Sequence, residues 1–239
     1  MKIGVVLPSS NRDWLVDRRA AYGKWARPGT EFVVSALHER VPQNADPSDS
    51  FVLPEILQQM LEAEQSGMDA VIVDCMEDPG VEEGRRLVDI PVIGPGHAAL
   101  NLAVTLGYRF SILYPLEQVR LVEKLVQQHG LSSRLASVRY LACGLQGMRA
   151  DTETTLGYLF DAAFAAVRED GAHVIVPACT LTSGLAVELG IRLRQRGYPV
   201  PVVDGSGAAV KLAEDLVDLK LAPSRITYPA SLGISHRIE

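Results

Sequence analysis

Three cysteines are the side chains in this sequence best suited to chemistry, and two of them stand in matching contexts. Cys75 closes the run Ala70-Val71-Ile72-Val73-Asp74, after which the chain passes Asp78-Pro79-Gly80 and reaches Pro91-Val92-Ile93-Gly94-Pro95-Gly96-His97-Ala98-Ala99. Cys179 closes His173-Val174-Ile175-Val176-Pro177-Ala178, and the chain later reaches Pro201-Val202-Val203-Asp204-Gly205-Ser206-Gly207-Ala208-Ala209. Two similar halves facing each other across a cleft would set one thiol on each side of a bound molecule. Such a pair suits proton exchange at carbon: a base takes the proton from one face, and a conjugate acid returns one on the other. That is the chemistry of a racemase or epimerase, with one cysteine starting as thiolate and its partner as thiol, and it needs no cofactor. Cys143, after Tyr140-Leu141-Ala142, has no cysteine counterpart, since the matching place in the first half falls near Ala36-Leu37-His38. It reads as a small buried apolar side chain.

Both cysteines follow apolar runs, so in a parallel sheet they lie at carboxyl ends, where ligands bind and helix N-termini point their N–H groups. Asp78 is expected to cap the helix after Cys75, with Pro79 in its first turn, and Thr180, Thr182 and Ser183 offer caps after Cys179. A thiol near a helix start titrates below its ordinary value, which would make a thiolate available at neutral pH. The carbanion also needs its charge spread onto a carbonyl, and hydroxyls and N–H groups around Ser9, Ser10, Asn11, Thr180 and Thr182 could stabilise it. Pro8, Met76 and Leu181 flank these groups, and His97, opening a helix, is a further candidate for substrate contact or thiolate tuning.

The elements that must position these groups follow from periodicity. Short β-branched runs alternate with amphipathic stretches, the pattern of parallel βα units. Strands are expected near 2–7, 31–37, 70–74, 91–94, 109–114, 137–142, 173–177 and 200–203. Helices are expected over Leu53–Gln65, Leu116–Gln128, Thr154–Arg168, Ala98–Leu106 and Ala208–Leu219, several ending at a glycine such as Gly171. Lys2–Pro8 has a counterpart in Arg109–Pro115, so the repeat spans most of the chain. The fold class is therefore α/β: two pseudo-symmetric lobes, each a roughly four-stranded parallel sheet flanked by helices, with the active site in the cleft between them. The first lobe takes residues 1–98 and 208–239, and the second 99–207.

Composition narrows the partners. The chain has 239 residues, 47% hydrophobic and 22% charged, with a formal charge of −6. That balance speaks against a nucleic-acid binder, and no stretch has the apolar length of a membrane span. Small molecules remain. The amino terminus reads as a first strand rather than an export signal, so the cytoplasm is the expected compartment. An odd number of widely spaced cysteines argues against a disulfide framework, and no Cys or His pair has metal-ligand spacing. Gly94-Pro95-Gly96 and Asp204–Gly207 read as turns that bring backbone near the cleft, since neither completes a dinucleotide fingerprint. The basic run Arg12, Arg18, Arg19, Lys24 and Arg27, with Trp14, Tyr22 and Trp25, reads as a solvated, lid-like or subunit-contact surface.

These residues resemble the aspartate/glutamate/hydantoin racemase superfamily, nearest its hydantoin and allantoin racemase branch. The likeness rests on Asp69–Gly80, with its Asp-Pro-Gly after the cysteine, on Pro91–Gly94, and on Pro201–Ala213. It implies two pseudo-symmetric lobes, Cys75 and Cys179 as the acid–base pair, no cofactor, and a homo-oligomer. The Leu7-Pro8-Ser9-Ser10-Asn11 turn is more similar to that of maleate cis–trans isomerases, and Cys179-Thr180-Leu181 replaces the small residues usual in the branch. His97 stands where an acidic residue is expected. The expected activity is racemisation of a 5-substituted hydantoin or related cyclic ureide. The alternatives are a maleate-type isomerase, an amino-acid racemase or an arylmalonate-type decarboxylase, and a two-lobed binding protein without catalysis.

Overall fold

The computed structural model describes residues 1–43, 45–47, 49–148 and 151–230. In chain order its elements are β1 (Lys2–Leu7), α1 (Leu15–Gly23), β2 (Glu31–Ala36), α2 (Leu53–Gln65), β3 (Ala70–Val73), α3 (Val81–Leu87), β4 (Val92–Ile93) and α4 (Pro95–Leu106). There follow β5 (Phe110–Tyr114), α5 (Arg120–Gln128), β6 (Leu135–Tyr140), α6 (Gly144–Gly147), α7 (Thr152–Asp170), β7 (Val174–Pro177), α8 (Ala186–Gln195) and α9 (Gly205–Asp218). Short 3-10 turns occupy Arg12–Trp14, Ser132–Arg134 and Thr180–Thr182.

The strands form two all-parallel sheets, one ordered β2-β1-β3-β4 and the other β6-β5-β7. Strands covered on both faces must be apolar nearly throughout, and β3, β5 and β7 are buried along their whole lengths. Val200–Val203 does not form the expected fourth strand of the second sheet. Pro199 and Pro201 lack N–H donors there, and pairing shrinks to the single bridge Ile175–Val202.

The chain divides into two compact units: Met1–Gly94 with the described part of Ala209–Glu239, and Pro95–Ala208. In the first, Ile56 and Met60 of α2 pack with Val71, Val73 and Val92. In the second, Leu156, Leu159 and Ala163 of α7 pack with Leu113, Ile175, Leu189 and Leu193. The division falls within α9, whose later part is tied into the first unit by Glu214. This carboxylate, 2% exposed, accepts from the Arg27 N–H at 2.9 Å, the Thr30 hydroxyl at 2.7 Å and Lys211 Nζ at 2.9 Å. Arg27 also pairs with Asp218.

The basic segment after β1 departs from its expected surface role at Tyr22, which is fully buried. Its ring packs on Phe32 at 5.9 Å between centroids and its hydroxyl donates to Asp74 Oδ1 at 2.8 Å. An aromatic ring with a satisfied polar tip belongs in a core even when Arg18, Arg19 and Lys24 surround it in sequence.

Candidate active site

The two cysteines hold the same place in their sheets. Val73 pairs with Val6, and Pro177 with Leu113, so Cys75 stands two residues past the last paired residue of β3, an inner strand, and Cys179 two past that of β7, an edge strand flanked only by the bridge to Val202. The intervening residues repeat the match: the Asp74 N–H donates to Val6 O and the Ala178 N–H to Leu113 O, both at 2.8 Å. On the other flank, Val71 pairs with Val92 as Ile175 does with Val202.

In the first unit the Cys75 N–H turns back onto Val73 O at 2.8 Å, and the Asp78 N–H closes a turn onto Cys75 O at 3.1 Å. The expected helix start lies further on. Asp78 does not cap α3, whose N-cap is Gly80 at φ +73° without a side-chain bond, and Pro79 stands outside the first turn. A Cβ there would be strained by φ and would lie 2.9 Å from Leu53 Cδ1, so glycine is required. With no helix end at hand, burial pushes the Cys75 thiol well above its ordinary value, and the charge of Glu77 pushes the same way. The Glu77 backbone N–H opposes this, and Asp78 and Asp74 add to it. Cys75 is therefore a protonated thiol at neutral pH, not the thiolate that a helix start would favour.

The turn after β1 sits beside this loop, because β1 and β3 are hydrogen-bonded neighbours. Pro8, Ser9 and Ser10 are buried. Their polar groups hold the turn itself: Ser10 Oγ donates to Val41 O at 2.6 Å, the Asn11 N–H donates to Ser9 Oγ at 3.2 Å, and the Asp13 N–H donates to Asn11 Oδ1 at 3.0 Å. Met76 is buried directly after the cysteine.

In the second unit Cys179 is the N-cap residue of the 3-10 turn Thr180–Thr182. Thr182, buried, turns its hydroxyl back onto Cys179 O at 2.6 Å, while Thr180 and Leu181 are partly exposed. Leu181 packs with Cys179 against the core. Cys143 follows β6, and burial raises its thiol also. His97 lies in the first turn of α4, its ring stacked parallel on His129 at 4.0 Å. Thus Pro8–Asn11 and Met76 gather with Cys75 in one unit, while Thr180–Thr182, His97 and Cys143 belong with Cys179 to the other.

Sequence reasoning gave Asp74 no role and missed its pairing with Tyr22. The signal was a carboxylate ending a buried apolar strand, 5% exposed in the structure, since such a group must find a donor. Among the described residues no group of three or more His, Cys, Asp or Glu could hold a metal ion, and no helix is long and apolar enough to cross a membrane.

Residues 3–213 match the family described as Asp/Glu/Hydantoin racemase. The chain belongs to that family. Among its relatives is a hydantoin racemase of Pseudomonas sp. (strain NS671), 29% identical over 95% of this chain and 91% of its own. A hydantoin racemase of Rhizobium meliloti is 33% identical over 75% of this chain and 73% of its own. The crystal structure of allantoin racemase from Pseudomonas fluorescens superposes with a TM-score of 0.85 at 30% identity, covering 98% of this chain and 99% of that one. This member of the racemase family is thus an enzyme of the isomerase class, with the two-sheet α/β architecture of its relatives.

Proposed function

We propose that the chain racemises a 5-substituted hydantoin or a related cyclic ureide such as allantoin, with Cys75 and Cys179 as the two acid–base groups. The observation that carries this reading is the shared register of the two cysteines, each two residues past the last paired residue of a parallel strand, in two similar sheets. The names of the relatives supply the substrate class. Abstraction at the ring stereocentre by one thiolate and return of a proton by the other thiol exchanges configuration without a cofactor. The protonated state of Cys75 supports its starting as the acid, which leaves Cys179 as the base for the first enantiomer bound. In the reverse direction the roles exchange. The same reading takes the two units as lobes sharing one small-molecule substrate, with Pro8–Asn11, Met76, Thr180–Thr182 and His97 at the substrate, in a homo-oligomer of the cytoplasm.

The test is proton exchange in deuterated buffer, followed by NMR and polarimetry, with enantiopure allantoin and 5-alkyl and 5-aryl hydantoins. Loss of rotation with one deuteron taken up at the stereocentre, abolished in both Cys75→Ser and Cys179→Ser, is the expected result. Full rotation and unlabelled substrate with every cyclic ureide would refute the substrate class. Racemisation that survives either substitution would refute the two-thiol mechanism.

A further inference from the structure

The loops that follow the two cysteines are matched in register but fastened from opposite sides. Counting from the paired strands, Cys75, Asp78 and Gly94 correspond to Cys179, Thr182 and Asp204. In the first unit the carboxylate comes from the cysteine loop. Asp78 is bent into the left-handed region at φ +54°, and its carboxylate lies so close on Gly94 that a Cβ built there would fall among its atoms.

In the second unit the carboxylate comes from beyond Val203. Asp204 Oδ2 accepts from the Gly184 N–H at 2.7 Å, and its Oδ1 accepts from the Gly207 N–H at 2.9 Å. One side chain therefore joins the loop after Cys179 to the first turn of α9. Gly184 presents its N–H from φ +89°, a conformation open to glycine. Thr182, in the place of Asp78, spends its hydroxyl on Cys179 O and makes no such reach.

We infer that Asp78 and Asp204 are paired clasps that set the positions of Cys75 and Cys179 by holding each cysteine loop to the segment beyond its hydrogen-bonded neighbour, which is β4 in one unit and the bridge at Val202 in the other. The inference rests on the acid–base reading of the two cysteines. Neither loop has a long regular element of its own near the thiol: one is a turn closed on Cys75 O, the other a single 3-10 turn. A thiol on such a loop keeps its aim only if the loop is tied at a second point, and that is what each aspartate supplies. A displacement of about 1 Å in a reacting group can lower turnover ~10²-fold. Asp78 has a further effect, since its charge is among those that keep Cys75 protonated. Asp78 and Asp204 are positioning residues, acting on the reaction through the cysteines.

The test uses the full chain with Asp78→Asn, Asp204→Asn and Gly94→Ala, the last displacing the Asp78 carboxylate without altering it. The rate of iodoacetamide labelling of each cysteine is followed against pH by peptide mass mapping, beside kcat and KM for racemisation. Asp204→Asn should change the Cys179 labelling rate several-fold and leave the Cys75 profile in place. Asp78→Asn and Gly94→Ala should move the Cys75 profile, the former toward lower pH, and leave Cys179 in place. In each variant kcat should fall ~10²-fold with KM changed far less. Folded variants whose profiles match the wild type, or whose two cysteines change together, would overturn the clasps. Should Asp204→Asn fail to fold, Asp204→Glu, which keeps the acceptor but lengthens its reach, is read in the same way. Selective labelling changes without racemisation of any cyclic ureide by the wild type would retain the clasps and remove the racemase reading. Racemisation with unaltered profiles would do the reverse.

Discussion

Removing one oxygen atom from Tyr22 tests the support of the Cys75 loop. In Tyr22→Phe the ring contact with Phe32 remains and only the hydroxyl that donates to Asp74 at 2.8 Å is lost. Both residues are buried, Tyr22 at 0% and Asp74 at 5% exposed, so water does not readily replace the donor. A hydrogen bond to an ionised partner contributes about 1.5–3 kcal/mol. For a chain of this size each kcal/mol moves Tm by roughly 2–4 °C, so the variant should melt about 3–12 °C lower. Urea unfolding should show the same loss as a lower midpoint with unchanged slope. The Asp74 N–H keeps β3 fastened to Val6 O, so the strand persists while the carboxylate next to Cys75 shifts. Racemisation should accordingly fall under conditions where the variant is fully folded. A Tm within about 1 °C of the wild type would correspond to less than about 0.5 kcal/mol, and would refute the assignment of the Tyr22 hydroxyl as the buried donor that Asp74 depends on.

Glu214 supplies a pH test. Burial alone would raise its carboxyl, but the Arg27 N–H, Lys211 and Thr30 together hold it below the usual range. A folded value below the unfolded one means that its contribution is present above the ordinary carboxylate range and is lost as pH falls through the folded value. Wild-type stability, measured by denaturant unfolding across acid pH, should therefore fall more steeply than that of Glu214→Gln, which should itself be about 1–3 kcal/mol less stable near neutrality. Equal slopes for the two proteins would exclude a depressed Glu214. Cys75, measured in a Cys143→Ser, Cys179→Ser background, should label with iodoacetamide only at a pH above that of an ordinary thiol, and Glu77→Gln should bring the onset down. An onset unmoved by that change would remove Glu77 from the causes.

Much of the fold was legible because fully buried parallel strands leave a plain trace, an almost unbroken run of Val, Ile and Leu. Leu53–Gln65 was equally plain, with apolar residues at helical spacing and Pro54 in its first turn. What escaped was decided by partners distant in sequence. Tyr22 stands among cations and aromatic residues, and nothing near it announces the carboxylate 52 positions away that receives its hydroxyl. The helix start expected at Asp78 failed because the chain spends Asp78 on a turn closed onto Cys75 O and Pro79 on a second turn closed onto Asp78 O, deferring α3 to Val81. The strand at Val200–Val203 failed because prolines remove donors from a segment whose apolar pattern is otherwise that of a strand. The matched contexts of the two cysteines could be read as a repeat, but their common register needed the paired strands.

The discontinuity of the first unit has a consequence for the order in which the protein is made. Pro95–Ala208 is one unbroken stretch and has all its own chain as soon as it is synthesised. The first unit has not, because Glu214 follows Arg27, whose N–H it accepts, by 187 residues. At roughly 5–20 residues per second that interval is about 10–40 s, during which the segment from Arg27 to Thr30 exists without its carboxylate. Of the two units, the one whose chain emerges earlier is the one completed later.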